Sequence, residues 1–448
     1  MPPAVLETQK TTNGFRDSAF AKNKELPLHR WVPWIAGFSS NFVQDCLSSY
    51  FPRRRHGIGW VLDPFAGVGT TLVEAHLRGL NVIGFEINPY AALAAKTKLE
   101  AATVSTKKLA KHVSAFERFM DRHCSSSARN GQPRSQPPTG FSGRTQLFSP
   151  KVERKILFGL DFINSISDPR IRDVFRLALG AVMVSVSNYS YEPSLTRRLA
   201  VGKPQINDAP VGETVLAKLN QMLGDIEWAQ ARLNGLKHAP AHEVFPSSIF
   251  HADKFIGRYD FVDLVVTSPP YLNNYHYPRN TRPQIHWLGF ASGRGYRVAG
   301  ENDSFGKFWQ TVRGLPPVSL AFDLRGLKED IAAIRSRNTD KGVYGGPGWA
   351  NYVATYFNDT YRFCKVLAQL LRPGGTAVIV LGNSIIQGIE IRTDLYFGKV
   401  AELCGLKFEE TVLLRKKRTG SSIIRSSVRA DKALARTVLY ESAIVLRK

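Results

Sequence analysis

The sequence predicts an α/β fold, namely a doubly wound, largely parallel sheet with a terminal antiparallel hairpin and a mostly helical insertion. Short apolar, β-branched runs alternate with helical patterns in the first hundred residues and again after about residue 245, which is typical of βαβ units. The region between these two parts carries helical periodicity. The closing apolar runs, 408–414 and 437–446, are predicted to pair as two antiparallel strands.

The chain has 448 residues, which exceeds one ordinary hydrophobic core and predicts a large domain with insertions or two domains. We expect a mobile N-terminal segment over 1–27 and a first part of the α/β domain over 28–100. A mostly helical insertion over 101–244 follows, and 245–448 forms the second part of the α/β domain. Within that second part, 280–350 is predicted to be irregular and to face the substrate.

The composition is strongly basic, with 60 Lys and Arg against 37 Asp and Glu and a net charge of +23. A chain this basic usually binds a polyanion such as a nucleic acid. A membrane surface is the competing interpretation, but we find neither a basic amphipathic helix with an aromatic face nor an apolar run long enough to span a bilayer. The first residues do not have the pattern of a signal peptide.

The four cysteines, Cys46, Cys124, Cys364 and Cys404, are widely scattered. There is no CxxC pair and no cluster of Cys and His, so the sequence predicts neither a metal site nor a disulfide framework. A reducing cytoplasm is therefore the expected compartment.

A strand, a glycine-rich turn and a helix follow one another over residues 60–77. Gly67 and Gly69 would let the backbone approach a ligand closely. A second strand follows and ends at Glu86, where a carboxylate is placed to bind the two hydroxyls of a ribose.

A dinucleotide is the first alternative for this ribose ligand. The third glycine of the dinucleotide fingerprint is missing, and the turn begins with Asp63, whose carboxylate would repel a pyrophosphate. The same carboxylate could bind an ammonium group. S-adenosylmethionine has a ribose and an ammonium group but no phosphate, so the residues favour it.

Other residues complete this predicted ligand site. Val244–Asp253 is interpreted as a third strand, with Asp253 at its tip to accept a hydrogen bond from an adenine amine. Ser39 or Ser40 is a suitable N-cap for a helix. A further helix is expected to start at Asn88 and to run to about residue 109. Trp31 and Trp34 could belong to the core or line the ligand.

The stretch Thr267–Tyr271 follows a buried strand and reads Thr-Ser-Pro-Pro-Tyr. Two prolines fix φ twice and remove two N–H donors, so the turn is stiff and leaves carbonyl groups free. A base with an exocyclic amine could stack on Tyr271 and donate to the Ser268 hydroxyl and the Pro269 carbonyl. The plainer alternative is a proline turn that only ends a strand.

Several basic and aromatic stretches could contact phosphates or bases. They are the segment 189–198 of the insertion, the segment 272–282 after the proline turn, and the basic run 415–420 between the two closing strands. A solvated surface is the alternative for the basic run and for the insertion as a whole.

Residues 61–71 and 267–271 together resemble the two signature motifs of the S-adenosylmethionine-dependent exocyclic-amino DNA methyltransferases. The second motif has the Ser form, which is typical of the N4-cytosine branch. The resemblance implies a catalytic set of Ser268, Pro269, Pro270 and Tyr271. The cofactor-binding set it implies is Phe38, Asp63, Phe65, Gly67, Gly69, Thr70, Glu86, Asp253 and Thr267.

The resemblance also implies a Rossmann-like methyltransferase fold and transfer of a methyl group to the exocyclic amine of a base flipped out of double-stranded DNA. Cytosine N4 is the expected target, in a bacterial or archaeal cytoplasm near the nucleoid, and a restriction or defence system could accompany the enzyme. Adenine N6, an RNA or protein amine, or an inactive DNA-binding homologue remain alternatives. The missing Pro-Cys pair argues against cytosine C5 methylation, which needs a thiolate.

Overall fold

The structure is a computed structural model of the chain. It describes residues 9–10, 15, 23–34, 37, 39–55, 57–124, 131–139, 146–192, 194–236, 238–273, 278–291, 303–416 and 439–448.

Twelve strands are present in this part of the chain. In chain order they are β1 Gln9–Lys10, β2 Trp60–Asp63, β3 Asn81–Phe85, β4 Tyr189–Tyr191, β5 Leu195–Arg197, β6 His242–Phe245, β7 Val262–Thr267, β8 Leu371–Gly382, β9 Ser384–Ile386, β10 Ile389–Ile391, β11 Lys407–Lys416 and β12 Tyr440–Arg447.

Twelve α-helices accompany these strands in the described ranges. In chain order they are α1 Ser40–Tyr50, α2 Thr70–His76, α3 Pro89–Leu99, α4 Thr106–Cys124, α5 Pro150–Ser165, α6 Pro169–Val182, α7 Val211–Leu233, α8 Pro278–Trp287, α9 Trp309–Val312, α10 Arg325–Arg335, α11 Gly346–Leu370 and α12 Thr393–Leu403.

Eight strands form the central sheet in the order β1-β11-β12-β8-β7-β2-β3-β6. The run from β8 to β6 is parallel, whereas β12 is antiparallel to both β8 and β11. From β2 the chain first moves outward through β3 to β6 and then returns to place β7 and β8 on the other side of β2. This reversal makes the β2–β7 junction the topological switch point, where open α/β sheets bind their ligands. The predicted doubly wound sheet and the terminal antiparallel pair are both confirmed.

The sheet separates two hydrophobic cores, because successive side chains of a strand point to opposite faces. Val61 of β2 packs into the core that the helices α1 to α7 share, and its neighbour Leu62 packs into the core of α11 and α12. Both residues are fully buried. A parallel sheet covered on both faces explains why its strands are almost continuously apolar.

The region 101–244 contains helices α4 to α7 and a short ribbon of β4 and β5. Helices α4 and α7 are amphipathic and bury their apolar faces against each other and against the first core. The helical character predicted for this region is therefore present. Its status as a separate insertion, like the other predicted boundaries, stays a prediction.

Three local predictions were wrong. The helix expected to run from Asn88 to about residue 109 ends at Leu99, and a separate helix, α4, starts at Thr106. The strand expected to reach Asp253 ends at Phe245, because Pro246 has no N–H for a sheet and Ser248 then caps a 3₁₀ helix over Ile249–Lys254. The segment 280–350 is not irregular throughout, since its described part contains α9 and the amphipathic α10.

No helix in the placed part of the chain is both long enough and apolar enough to cross a membrane.

Candidate active site

Two turns meet at the carboxyl ends of β2 and β7. We call the turn Asp63–Thr70, together with Glu86, the glycine corner, and Thr267–Tyr271 the proline corner. The Thr267 hydroxyl donates to Asp63 Oδ1 at 2.6 Å, and the Thr71 hydroxyl donates to the Val266 carbonyl at 3.0 Å. The structure therefore brings the two predicted motifs into one crevice at the switch point.

The two glycines of the turn have backbone conformations that other residues rarely adopt. Gly67 has φ of 51° and Gly69 has φ of 84°. A Cβ on Gly69 would lie 3.0 Å from the Cα of Ala95 in α3, so the turn also needs glycine for close packing. A Cβ on Gly67 would lie 3.4 Å from the indole nitrogen of Trp34, which places that tryptophan directly against the turn.

Glu86 follows β3 and closes the glycine corner. Its two oxygens accept the backbone N–H groups of Gly67 and Asn88, each at 2.7 Å. Burial is the largest influence on this carboxyl group and raises its pKa to about 7, although the two N–H groups oppose the shift. A carboxylate has about four lone-pair positions, so Glu86 can still accept hydrogen bonds from a diol.

Asp63 is only 1 % exposed and lies between β2 and β7. Its Oδ1 accepts the Phe65 N–H at 3.1 Å as well as the Thr267 hydroxyl. Burial raises its pKa to about 6, and the hydrogen bonds limit the rise. These contacts make Asp63 the link between the two corners, while its predicted contact with an ammonium group stays a prediction.

Phe65 and Thr70 differ in burial. The centroid of the half-buried Phe65 ring lies 5.3 Å from that of Phe305 and 5.2 Å from that of Phe363, so the ring packs against the core of α11 and α12. Thr70 is buried as the first residue of α2. The buried amine of Lys98 supports the same turn, because it donates to the Val68 carbonyl at 2.9 Å.

The segment before α1 is attached to α7. Buried Asp225 accepts hydrogen bonds from the Leu28 N–H, the Arg30 guanidinium and the Trp31 indole, at 2.5 to 3.2 Å. Trp31 therefore belongs to the core, whereas Trp34 extends from this anchored segment to the glycine corner.

Two further predictions concern the start of α1. Ser39 is its N-cap, as predicted, because its hydroxyl accepts the Phe42 N–H. Phe38, a predicted cofactor contact, lies outside the described residues, so its contact stays a prediction.

The proline corner is held by distant parts of the chain. The Ser268 hydroxyl lies 3.1 Å from the Val380 carbonyl, and the Tyr271 hydroxyl donates to Glu441 at 2.8 Å. The half-buried Tyr271 ring packs beside the backbone at the end of β8.

The two proline carbonyls between Ser268 and Tyr271 differ in their hydrogen bonds. The Tyr356 hydroxyl donates to the Pro270 carbonyl at 3.1 Å. Within the described ranges no group donates to the Pro269 carbonyl. The predicted combination of a hydroxyl, a carbonyl and an aromatic ring is thus present at one strand end.

Asp253 is not brought to this crevice by a strand. It lies in the 3₁₀ helix, eight residues beyond the end of β6, and its side chain is exposed. A contact between Asp253 and an adenine amine stays a prediction. The residues 274–277 and 417–420, which were expected to contact nucleic acid, lie outside the described part of the chain.

Sequence reasoning missed Asp225, Lys98 and Glu441. No local motif points to the first two. Glu441 did give a signal, because it is an acidic residue at the start of an otherwise apolar strand, and a buried carboxylate needs partners.

The crevice fits S-adenosylmethionine better than it fits a metal. No group of three or more Asp, Glu, His or Cys residues that could hold a metal occurs among the residues with described positions. Glu86 and the turn at Gly67 and Gly69 lie together, with Trp34 packed against the turn, and the contact of Glu86 with ribose hydroxyls stays a prediction. The fold and this crevice together define a methyltransferase that uses S-adenosylmethionine as its methyl donor.

Comparisons with known proteins support the same class. Residues 18–97 match a family model described as DNA methylase. A Type II methyltransferase, M.BsoBI from Geobacillus stearothermophilus, is 24% identical over 93% of this chain and 86% of its own length. M.AvaI from Nostoc is 21% identical over 90% and 84%, and M.MvaI from Kocuria varians is 26% identical over 75% and 73%. These matches support an exocyclic-amino DNA methyltransferase of the family that includes N4-cytosine and N6-adenine enzymes.

A solved structure also aligns with this chain. An rRNA methyltransferase, aviRa from Streptomyces viridochromogenes, has 9% identity and a TM-score of 0.29 over 96% of this chain and 93% of that chain.

Proposed function

We propose that this protein methylates the N4 amine of cytosine at a specific site in double-stranded DNA, as part of a bacterial or archaeal restriction-modification system. The supporting observation is the proline corner, where the Ser268 hydroxyl and the open Pro269 carbonyl lie at the switch point, one strand away from the glycine corner. The Ser form of the motif favours cytosine. The relatives named as Type II methyltransferases support the association with a restriction enzyme.

The reaction follows from these acceptors. A flipped cytosine would stack on the Tyr271 ring and donate its two amine protons to Ser268 and Pro269, which directs the nitrogen lone pair toward the glycine corner. The donor, when bound at Gly67, Gly69 and Glu86, supplies a methyl group on a sulfonium, which is already strongly electrophilic. The protein therefore contributes mainly by placing the two reactants in line.

No covalent enzyme intermediate is needed, because the amine nitrogen attacks the methyl carbon directly. The basic surface supplies the electrostatic attraction to the duplex, and its net charge of +23 predicts an affinity that falls steeply with salt.

The test is transfer of a tritiated methyl group from S-adenosylmethionine to unmodified duplex DNA, followed by digestion and nucleoside analysis. We expect radioactivity in N4-methyldeoxycytidine. Radioactivity in N6-methyldeoxyadenosine would establish the adenine alternative, and transfer only to RNA or to protein would exclude DNA as the substrate. No transfer to any acceptor would support an inactive DNA-binding homologue.

A further inference from the structure

We propose that Glu441 is a positioning residue for methyl transfer, because its carboxylate orders the hydrogen bonds of Tyr271 and Ser268 so that the serine oxygen faces the target amine. The inference rests on the proposed function. It adds a residue from the last strand, 170 positions away from Tyr271, to the proline corner.

The contacts of Glu441 carry the argument. The residue is 5 % exposed and occupies the second position of β12. Oε1 accepts the Tyr271 hydroxyl at 2.8 Å, and Oε2 accepts the Arg415 Nε at 2.5 Å. A buried carboxylate is costly unless it is paired, and here one oxygen faces a cation while the other faces the proline corner. Arg415 therefore favours the ionised form of Glu441.

The register of the sheet fixes this carboxylate in place. Glu441 pairs with Gly382 at the end of β8, and the same glycine lies beside the Tyr271 ring, where a Cβ would be 3.7 Å from it. The Tyr440 N–H also donates to Asn383 at 2.9 Å, which ties the start of β12 to the loop after β8. Tyr271 is consequently held by its ring and by its hydroxyl.

The direction of the Ser268 hydroxyl follows from the number of protons that Tyr271 can donate. A phenol has one proton, and in Tyr271 that proton is directed to Glu441, so the phenol oxygen faces Ser268 as an acceptor. The Ser268 oxygen lies 3.4 Å from the Tyr271 oxygen and 3.1 Å from the Val380 carbonyl. Both neighbours accept, so the serine proton points toward them. The lone pairs of the serine oxygen are then left for the amine of the base.

This direction of the hydrogen bonds makes the Ser268 oxygen a stronger acceptor during methyl transfer. Hydrogen bonds that run in one direction polarise each other, and here the chain ends on the ionised carboxylate of Glu441. As the nitrogen–carbon bond forms, the carbon–sulfur bond breaks with its electron pair on sulfur, and the amine releases one proton to water. The Ser268 oxygen stabilises the amine N–H while positive charge develops on the nitrogen.

A double-mutant cycle separates this role from a purely structural one. The variants are Glu441→Gln, Tyr271→Phe and the two combined, and the readouts are kcat for methyl transfer, cofactor affinity and DNA affinity. Glutamine keeps the size of the side chain, but its amide can donate a hydrogen bond to the Tyr271 hydroxyl. This disturbs the direction of the hydrogen bonds between Glu441, Tyr271 and Ser268. We expect kcat to fall about tenfold or more in each single variant, with both affinities unchanged.

The expected signature is non-additivity. Once Tyr271→Phe has removed the phenol, Glu441→Gln should cause little further loss of kcat. The matched control is Glu409→Gln, because Glu409 lies on β11 and pairs with Arg447 of β12 at 3.2 Å but has no contact with Tyr271. We expect its kcat to equal that of the parent.

Three results would overturn the proposal. They are full kcat in Glu441→Gln, losses that multiply in the double variant, and a loss that appears equally in Glu409→Gln. If Glu441→Gln does not fold, the cycle is run with Glu441→Asp, which keeps the charge near Arg415 but draws it away from Tyr271. An aspartate variant with full kcat would then contradict the proposal.

The parent enzyme tests the proposed function independently. If the parent methylates adenine or no nucleic acid at all, cytosine methylation fails whatever the variants do. If it methylates cytosine and the cycle is additive, only the role of Glu441 fails.

Discussion

The glycine corner and the proline corner lie side by side, but they are stabilised over very different distances along the chain. Glu86 accepts N–H groups from Gly67 and Asn88, which are 19 and 2 residues away. In contrast, Ser268 contacts a carbonyl 112 residues away, and Tyr271 contacts a carboxylate 170 residues away. The glycine corner is thus a local structure that one strand–turn–helix unit can form. The proline corner takes its side-chain orientations only from the completed sheet.

This difference teaches where mutations should act. Changes in the glycine corner should alter cofactor affinity, because its groups are proposed to bind the cofactor and are held locally. Changes in the proline corner should alter kcat, because its groups are proposed to bind the base.

The largest effect is expected for Ser268→Ala. The variant removes the hydroxyl that we propose as the acceptor of the target amine, so kcat for methyl transfer should fall by about 100-fold or more. Calorimetry should show unchanged cofactor affinity, because the nearest contacts of the hydroxyl are Val380 and Tyr271. A variant with the kcat of the parent would remove Ser268 from the mechanism.

Glu86→Ala should weaken cofactor binding by about 10- to 100-fold, the usual loss when a charged hydrogen-bonding group is removed. Calorimetry measures the affinity, and gel shift should show that DNA binding is retained. Glu243→Ala is the matched control, since this glutamate lies on the adjacent strand β6 with an exposed side chain. Unchanged affinity in Glu86→Ala would exclude Glu86 from the cofactor site.

Cofactor binding should also depend on pH near neutrality. The pKa of Glu86 is raised to about 7, and ribose hydroxyls need its ionised form as acceptor. Affinity should therefore be full above pH 7 and should fall about tenfold for each pH unit well below it. Asp63, whose pKa is about 6, would add to the loss at still lower pH.

Titration calorimetry between pH 6 and pH 8 measures this dependence. In Glu86→Gln the step near pH 7 should disappear, because no carboxylate remains to be protonated. A parent protein with constant affinity across this range would contradict the assignment.

The smallest effect is expected for Asp225→Asn in α7. Asp225 anchors residues 28–31, and Trp34 extends from that segment to the glycine corner. Weakening one or two of its hydrogen bonds should lower cofactor affinity by about fivefold. The control is Asp208→Asn, which affects a more exposed pair with Lys155 in the same region. Equal affinities in both variants would show that α7 does not support the pocket.

Local sequence allowed part of the site to be predicted and misled in other parts. The strand ending at Asp63, the turn with Gly67 and Gly69, and the N-cap at Ser39 each follow from short-range preferences that the structure keeps. The third strand does not reach Asp253 as expected, because Pro246 and Ser248 interrupt its apolar run. Asp253 was consequently placed at a strand tip that does not exist.

The sequence by itself determined the class of fold, the two motifs and the basic charge, because strand and turn preferences and net charge are properties of short segments and of composition. Only the tertiary structure decided that Asp63 and Thr267 share a hydrogen bond, that Asp225 holds the segment before α1, and that Glu441 reaches Tyr271. The physical reason is that a buried polar group must find its partner wherever the sheet order and register bring one. That order is set by the packing of both cores across the whole chain and is not written in any single stretch.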